Sequence, residues 1–513
     1  MACLLAWGIS SAALRPLYPL DETRYASVAW TMVREGSWWP MLGSQLYTHK
    51  PPLLFWLMHV AWKIGGYSVP PLRVLTLVLT MACLWRSMTL SAALWGRRPG
   101  VLLVPALLAG NWYVSFMGVA LYFDMALTLW VVMAIEGLWH ATQDRPWGHV
   151  WAGCAMGLGI LTKGPLVAPF VIGPMLAMPW VVGRPIKGWW RGLLLTAVLA
   201  ALPPVCWLAW LGMAHGYRTV GAIIWNQGAG RVVAAFDHAR PWWWYGPWLV
   251  VLWLPWITWP QLWRLRGALW RDVGGRLCLA WMVPPMVLLS LASGKQPHYL
   301  LPLFPAIALV LGRLQEQHCA SREDSLLGPG VAFLLIGFLP CLGWLLAPKL
   351  HSVMTLHQAG QWAMIFTLLG VILIWMGRRL TREEKVMGLA TSALLGLCLG
   401  QPVLVEVLAP RYDLRAFAVA IARLQAQGMT VAKAGAYHGQ FDFLGHLPRP
   451  IAVLPRAEVC ERADLLQATV VIAELPEQWR PKAEGCLLRQ PYRGHQLALL
   501  SPAAACAAQR QLQ

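Results

Sequence analysis

The sequence predicts a polytopic α-helical membrane protein with a small α/β domain at its C-terminus, on three observations. The 513-residue chain is 58% hydrophobic and only 12% charged, against about 25% charged for an average soluble domain. Apolar runs recur along most of its length, each close to the roughly 20 residues a membrane-crossing helix needs. From about residue 411 the runs stop and short alternating segments take over. The 33 tryptophans suit belts at the membrane–water interface. The net charge of +19 is spread among loops between apolar runs, so anionic lipid, and not nucleic acid, is its expected partner.

In chain order, the opening run at 1–14 is too short to cross and, with no basic residue before it, reads as a truncated or misassigned start; a signal peptide is the other reading, though no small-residue cleavage site stands out. Further candidates lie near 70–92, 99–114, 119–139, 148–162, 164–182, 190–213, 244–263, 277–293, 298–313, 327–347, 360–377 and 386–408, about thirteen in all. Basic residues collect in alternate connections: Arg97 and Arg98; Arg145; Arg184, Lys187 and Arg191; Arg264, Arg266, Arg271 and Arg276; Arg313 and Arg322; Arg378, Arg379, Arg382 and Lys385. The positive-inside rule assigns these to the cytoplasm. The other connections and the tail are then expected on the outer face.

The first outer connection, residues 15–69, is too long for a plain linker. "ETRYASVAWTMVREG" sets Tyr25, Val28, Ala29, Met32 and Val33 on one helical face, the pattern of an amphipathic helix lying in the interface. "THKPPLLFWLMHVAWKIGG" follows, an apolar helix opened by proline, closed by glycine and too short to span comfortably. Together they predict a platform at the outer surface. Asp21 and Glu22 open the first of these helices, in a chain with only 22 acidic residues. Asp21 suits an N-cap as well as a chemical role, and Glu22 suits the helix dipole.

Lys50, Lys163 and Lys295 each precede a proline that marks a helix start. The predicted topology collects all three on the outer side. Helix N-termini with an adjacent ammonium are natural phosphate sites, and the shared arrangement points to an anionic lipid headgroup. The outer loop 214–243 adds Arg231, Asp237, His238 and Arg240 before an aromatic run that ends at Tyr245. Arginine binds phosphate through a planar fork. His49 and His238 are the weak candidates for a divalent metal, which no ligand spacing requires.

The tail reads as a helix in "YDLRAFAVAIARLQAQG", strands in "MTVAKAGA", "RPIAVL" and "ATVVIAEL", and a short helix near 457–467. Domains are thus expected at 1–410, with the platform loop and the 214–243 loop inside it, and at 411–513. Most of the 11 cysteines sit singly in apolar runs, and Cys460 with Cys486 is the pair placed to oxidise in the tail.

The motifs "LDETRYASVAWTMVREGSWW…THKPPLLFW", "GILTKGPL", "GRVVAAFDHARPWWWY" and "LASGKQPHYLLPLFPAIAL" resemble those of bacterial GT-C glycosyltransferases of the protein O-mannosyltransferase-like superfamily, closest to the ArnT-like aminoarabinose transferases that modify lipid A. The resemblance runs in order from about residue 15 to 313. It implies about thirteen spans, a periplasmic platform and C-terminal domain, location in the bacterial inner membrane, and a sugar donor carried on undecaprenyl phosphate. It implies Asp21 as the catalytic carboxylate, Lys50 and Arg231 as phosphate contacts, Arg24 and Tyr25 close by, and Lys163, Lys295, Tyr299 and Tyr245 around the carrier phosphate and sugar. Glu22 and Asp124 are the possible second carboxylates. His49, where lipid A enzymes carry glutamate, and the stretch "NQGAGR" depart from that subgroup. The implied acceptor is an envelope glycolipid or glycan, and no cofactor is firmly implied.

A polyprenyl phosphate leaves readily, so the chemistry needs positive charge at the departing phosphate and a base for an acceptor hydroxyl. Attack opposite the phosphate inverts the anomeric centre. Two other readings share these features: a protein O-glycosyltransferase on the same fold, and a lipid-linked sugar transporter or flippase.

Overall fold

The computed structural model describes residues 2–227, 239–260, 271–317, 325–461, 469–479 and 485–511. It is mostly helical, with a small sheet domain near the C-terminus. The helices in chain order are α1 (Ala2–Leu14), α2 (Asp21–Arg34), α3 (Leu53–Gly65), α4 (Val69–Trp95), α5 (Pro99–Leu102), α6 (Val104–Ala109), α7 (Trp112–Gly118) and α8 (Phe123–Ala141). There follow α9 (Trp147–Lys163), α10 (Ala168–Val182), α11 (Trp189–His215), α12 (Tyr217–Gln227), α13 (Tyr245–Leu252), α14 (Val273–Leu291) and α15 (Phe304–Gln317). The last are α16 (Leu327–Leu346), α17 (Leu356–Met376), α18 (Arg382–Tyr412), α19 (Arg415–Ala426), α20 (Glu458–Glu461) and α21 (Pro502–Arg510).

Among the described residues eight helical segments are long and apolar enough to cross a membrane, or nine if the bent pair α5–α6 with α7 counts as one. The chain is therefore a multi-pass membrane protein. The difference from about thirteen expected spans has identifiable sources. The opening helix has 13 residues. The 99–114 run is broken, its two halves meeting at 64°, because Asn111 leaves the helix and caps α7 by accepting from the Val114 N–H at 3.0 Å. Segment 119–139 is helical as α8 but carries Asp124 and Glu136. The runs 148–162 and 164–182 count as one 36-residue stretch, which Gly164 interrupts at φ +72 and ψ −153.

Two compact units divide the chain. The larger comprises 1–13, 48–57 and 61–403. In it α8 packs against α9, where small residues let the backbones approach: a Cβ on Gly137 would lie 2.7 Å from the Ala152 nitrogen. That antiparallel pairing sets the start of α8 beside the end of α9, where the Lys163 ammonium bonds the Asp124 carboxylate. At the other end of the same helices, the Thr89 hydroxyl of α4 donates to Glu136 at 3.0 Å, and the Trp139 indole donates to the Ala93 carbonyl at 3.2 Å.

The second unit comprises 14–47, 58–60 and 404–513. Helix α2, expected to belong with the membrane domain, groups here with the C-terminal domain. It is not a one-sided interfacial helix. Polar Ser27 and Thr31, outside its expected apolar face, are buried, and Val33, on that face, is only half-buried. The Ser27 hydroxyl accepts the Phe443 N–H at 3.1 Å. Trp30 stacks on His446 with centroids 4.7 Å apart.

The domain's sheet has strand order β4-β3-β5-β7-β6, from β3 (Thr430–Ala434), β4 (Ala452–Leu454), β5 (Thr469–Pro476), β6 (Cys486–Tyr492) and β7 (His495–Leu500). A two-stranded ribbon, β1 (Met41–Leu42) with β2 (Gln45–Leu46), lies in the first loop. Strands β3, β4 and β5 are parallel and the β6–β7 hairpin is antiparallel. Apolar residues of α19, β3, β5 and β7, such as Phe417, Ile421, Val431, Ile472 and Leu497, build the core on one sheet face. The disulfide joins Cys460 to Cys506, and Cys486 is free, which corrects the expected Cys460–Cys486 pair. Cys486 instead opens the edge strand β6, whereas Cys506 lies in α21, which packs against α20.

Candidate active site

Two clusters contain the site residues, one in each unit, and each is taken by itself. The first is built at the start of α2. Asp21 is the first helical residue, and Leu20 occupies the cap position without a side-chain cap bond. The carboxylate does not cap the helix as its position suggested. It pairs one turn on with the Arg24 guanidinium and accepts from the Tyr25 hydroxyl at 3.3 Å. Its side chain remains 34% exposed, so it is oriented and also reachable. Burial opposes the charge on Arg24, but the Tyr47 phenol and the Asp21 carboxylate outweigh that and hold its pKa above the ordinary value.

Glu22, fully buried, accepts the Tyr18 N–H at 2.8 Å and faces Arg15 at 4.0 Å. It braces the turn into α2, a structural role. His438, early in the loop that follows β3, lies within electrostatic reach of Arg24. Burial and that guanidinium push its imidazole below the usual range. Sequence reasoning missed Tyr47 and His438, because neither stands in a motif and only the fold brings them to α2.

The second cluster lies in the membrane unit. Asp124, in the first turn of α8, is buried and bonded to Lys163. Lys50 and His298 also fall within its electrostatic reach. The Lys50 ammonium stands 5.5 Å from the centre of the Phe123 ring, and that of Lys163 4.9 Å from the Tyr299 ring. Tyr122 and His298 approach with centroids 5.8 Å apart. Two lysines and a histidine thus surround one carboxylate at the ends of α8, α9 and the turn before α15. Of the second carboxylates proposed from sequence, Asp124 has this setting and Glu22 does not. Tyr122 and His298, adjacent to recognised residues, were missed.

The lysine pattern is resolved differently from the expectation. Lys50 does precede a helix, α3, whose cap is Pro52. Lys163 is the last residue of α9, and a 3-10 turn follows it. Lys295 precedes another 3-10 turn, Pro297–Leu303, and donates to the carbonyls of Arg240, at 3.0 Å, and Ala292. Neither of these two stands at an α-helix N-terminus. The buried Tyr245 hydroxyl donates to the Gln296 carbonyl at 3.4 Å, tying α13 to the same turn. Arg231 and His238 lie outside the described residues. His49 is exposed, and among the described residues no three His, Cys, Asp or Glu side chains gather as a metal site.

No family model matches the chain. It is 28% identical over 369 residues to undecaprenyl phosphate-alpha-4-amino-4-deoxy-L-arabinose arabinosyl transferase 2 of Pseudomonas fluorescens, over 68% of this chain and 65% of that protein. It is 31% identical over 350 residues to the transferase of that name from Pseudomonas aeruginosa strain UCBPP-PA14, covering 63% and 61%. The chain therefore matches less than two thirds of the length of each of these relatives. Among solved structures, ArnT from Cupriavidus metallidurans bound to undecaprenyl phosphate superposes with a TM-score of 0.77 at 18% identity, over 98% of this chain and 97% of that one. The apo form of the same protein gives 0.76.

The chain thus has the fold of the ArnT structures, a mostly helical membrane unit with a small sheet domain. In sequence it is similar to the aminoarabinose transferases over about two thirds of its length.

Proposed function

We propose that the protein is a membrane glycosyltransferase that moves a sugar from an undecaprenyl-phosphate carrier to an envelope glycolipid or glycan, such as lipid A, on the periplasmic face of the inner membrane. The observation that carries this reading is Asp21, a carboxylate oriented by Arg24 and Tyr25 yet still one-third exposed. Such a group can accept a proton from an acceptor hydroxyl as it attacks the anomeric carbon. The carbon–oxygen bond to the carrier phosphate breaks as the new glycosidic bond forms, and attack from the opposite face inverts the centre.

The departing phosphate dianion is met by Lys50, with Arg231 as its second contact. Preset positive charge of this kind stabilises the charge that develops on the leaving group. Asp124 keeps Lys163 and Lys50 from repelling one another while the carrier is absent. The names of the relatives support the donor class. The acceptor is the part that the departures at His49 and "NQGAGR" leave open to another envelope glycan.

The test uses protein in nanodiscs, a radiolabelled polyprenyl-phosphate sugar and an envelope extract, with wild type beside Asp21→Asn. Label should pass from carrier to a lipid or polymer in wild type and fall at least about a hundredfold in the variant. Undiminished transfer by Asp21→Asn removes Asp21 as the base. Label that only crosses sealed vesicles, without changing its carrier, replaces the enzyme reading by transport.

A further inference from the structure

We propose that His438 is a positioning residue supplied by the C-terminal domain: as a neutral ring it leaves the Arg24–Asp21 pair in place, and as a cation it draws Arg24 away from Asp21. This role deepens the transferase reading and rests on it.

The placement comes first from the backbone. The loop after β3 lies along the face of α2 that bears Arg24. Its Phe443 N–H bonds the Ser27 hydroxyl at 3.1 Å. Gly439 reaches the same serine: a Cβ there would lie 3.3 Å from the Ser27 Cβ and 2.6 Å from the Leu42 side chain. The loop is thus wedged between α2 and the β1–β2 ribbon, at a residue whose φ of +73 suits glycine. Ser27 and Arg24 are three residues apart and so neighbours on one helical face. His438 adjoins Gly439, which brings it to the guanidinium. Its backbone N–H is fixed by the Gln440 side-chain oxygen at 3.1 Å, and Gln440 is itself buried.

Charges from four elements face the ring. Arg24 on α2, Lys433 on β3 and Arg493 in the turn between β6 and β7 are cations, and Glu474 on β5 is a carboxylate. Lys433 and Glu474 already pair at 3.3 Å, which leaves the two arginines to act on the ring. Asp442, on the ring's own loop, takes the Tyr437 hydroxyl instead. His438 is half-buried, so protons reach it. Burial first, and Arg24 next, disfavour the imidazolium, which therefore forms only below the ordinary histidine range.

Arg24 is the group that responds. Its guanidinium bonds the Asp21 carboxylate, while its Nε is buried without a hydrogen-bond partner among the described residues. Charge, more than a web of bonds, therefore sets where it lies. A second positive charge beside it opposes its position directly. Once Arg24 moves, Asp21 loses the contact that aims it at the acceptor.

The nanodisc transfer assay, run from about pH 5 to 8, where histidine titrates, tests this. Wild type should lose about tenfold in kcat towards the acid end, the effect of one like charge a few ångströms away. His438→Gln should be level across the range. His438→Lys should be level as well, at about the acid rate of wild type. The other ionisations are common to all three proteins, so the comparison isolates the ring, and a merely structural role would lower each variant equally at every pH. A titration independent of transfer stands beside it. In ¹⁵N-histidine NMR, the signal missing from His438→Gln should titrate in wild type with a midpoint that Arg24→Gln moves upward. Transfer with the same pH profile in wild type and both His438 variants, or a midpoint that Arg24→Gln leaves unmoved, overturns this proposal alone. No transfer by wild type at any pH overturns the transferase reading and this proposal with it.

Discussion

Asp442 shows how one residue can tie the C-terminal domain to the helix that bears Asp21. Its carboxyl group is wholly buried and takes the Tyr437 hydroxyl on one oxygen, while its other oxygen has no hydrogen-bond partner among the described residues. Burial, only partly offset by Tyr437 and Arg34, lifts its pKa above the ordinary value of 3.8. The folded state therefore holds a proton that the unfolded chain has released at the same pH. Stability contributed by this group is complete below about pH 4 and falls as pH rises from there through the raised folded value. Hydrogen exchange across 437–447, compared at each pH with Asp442→Asn, should show wild type losing protection over that window and the variant holding it. Parallel curves would mean that the acid form is not what holds the loop. The candidate site is legible at this scale only where residues lie in motifs. Asp21, Arg24 and Tyr25 stand together in "DETRY", one turn of helix, so their contact follows from spacing. The Asp124–Lys163 bond spans 39 residues and needs the α8–α9 pairing before it can be seen.

At the scale of elements, that pairing makes a direct prediction. A charge buried in apolar surroundings costs far more alone than paired, and removing one partner typically costs roughly 3–5 kcal/mol. Asp124→Asn and Lys163→Met should each lower the thermal midpoint in detergent, and the double variant should recover most of the loss. A double variant as unstable as the sum of the singles would show that the two residues act independently. Elements with clear punctuation were readable from sequence: α3 between Pro52 and Gly66, and α19 before Gly428, which takes φ +85. The β6–β7 hairpin was not. Its two-residue turn is Arg493–Gly494, both at positive φ (+49 and +82), the backbone of a type I′ turn built without the usual Asn or Asp. Pro491 lies within β6, which argues against a strand except at a sheet edge. The strand order puts β6 at that edge.

For the whole molecule, composition established a membrane protein at once, because 12% charge leaves no other solvent for so much apolar surface. The division into units was beyond sequence reasoning. Nothing in "ETRYASVAW" indicates that its Ser27 will accept a hydrogen bond from a residue 416 positions later. A chain ending at Val403 should therefore leave α2 without its covering residues. We expect limited proteolysis to cut within 21–34 in that truncation and to spare the segment in the full chain. Equal protection would show that α2 holds without the tail.

The same long-range contact sets an order of assembly. Helix α2 is made 416 residues before the loop that buries Ser27 and stacks on Trp30. At synthesis rates of roughly 5–20 residues per second, the two are separated by about 20–80 s. Through that interval the membrane helices can pair while Asp21 is still unsupported by the tail. Asp21, proposed above as the base, thus stands on a helix that is covered only once a loop some 416 residues further along has been made.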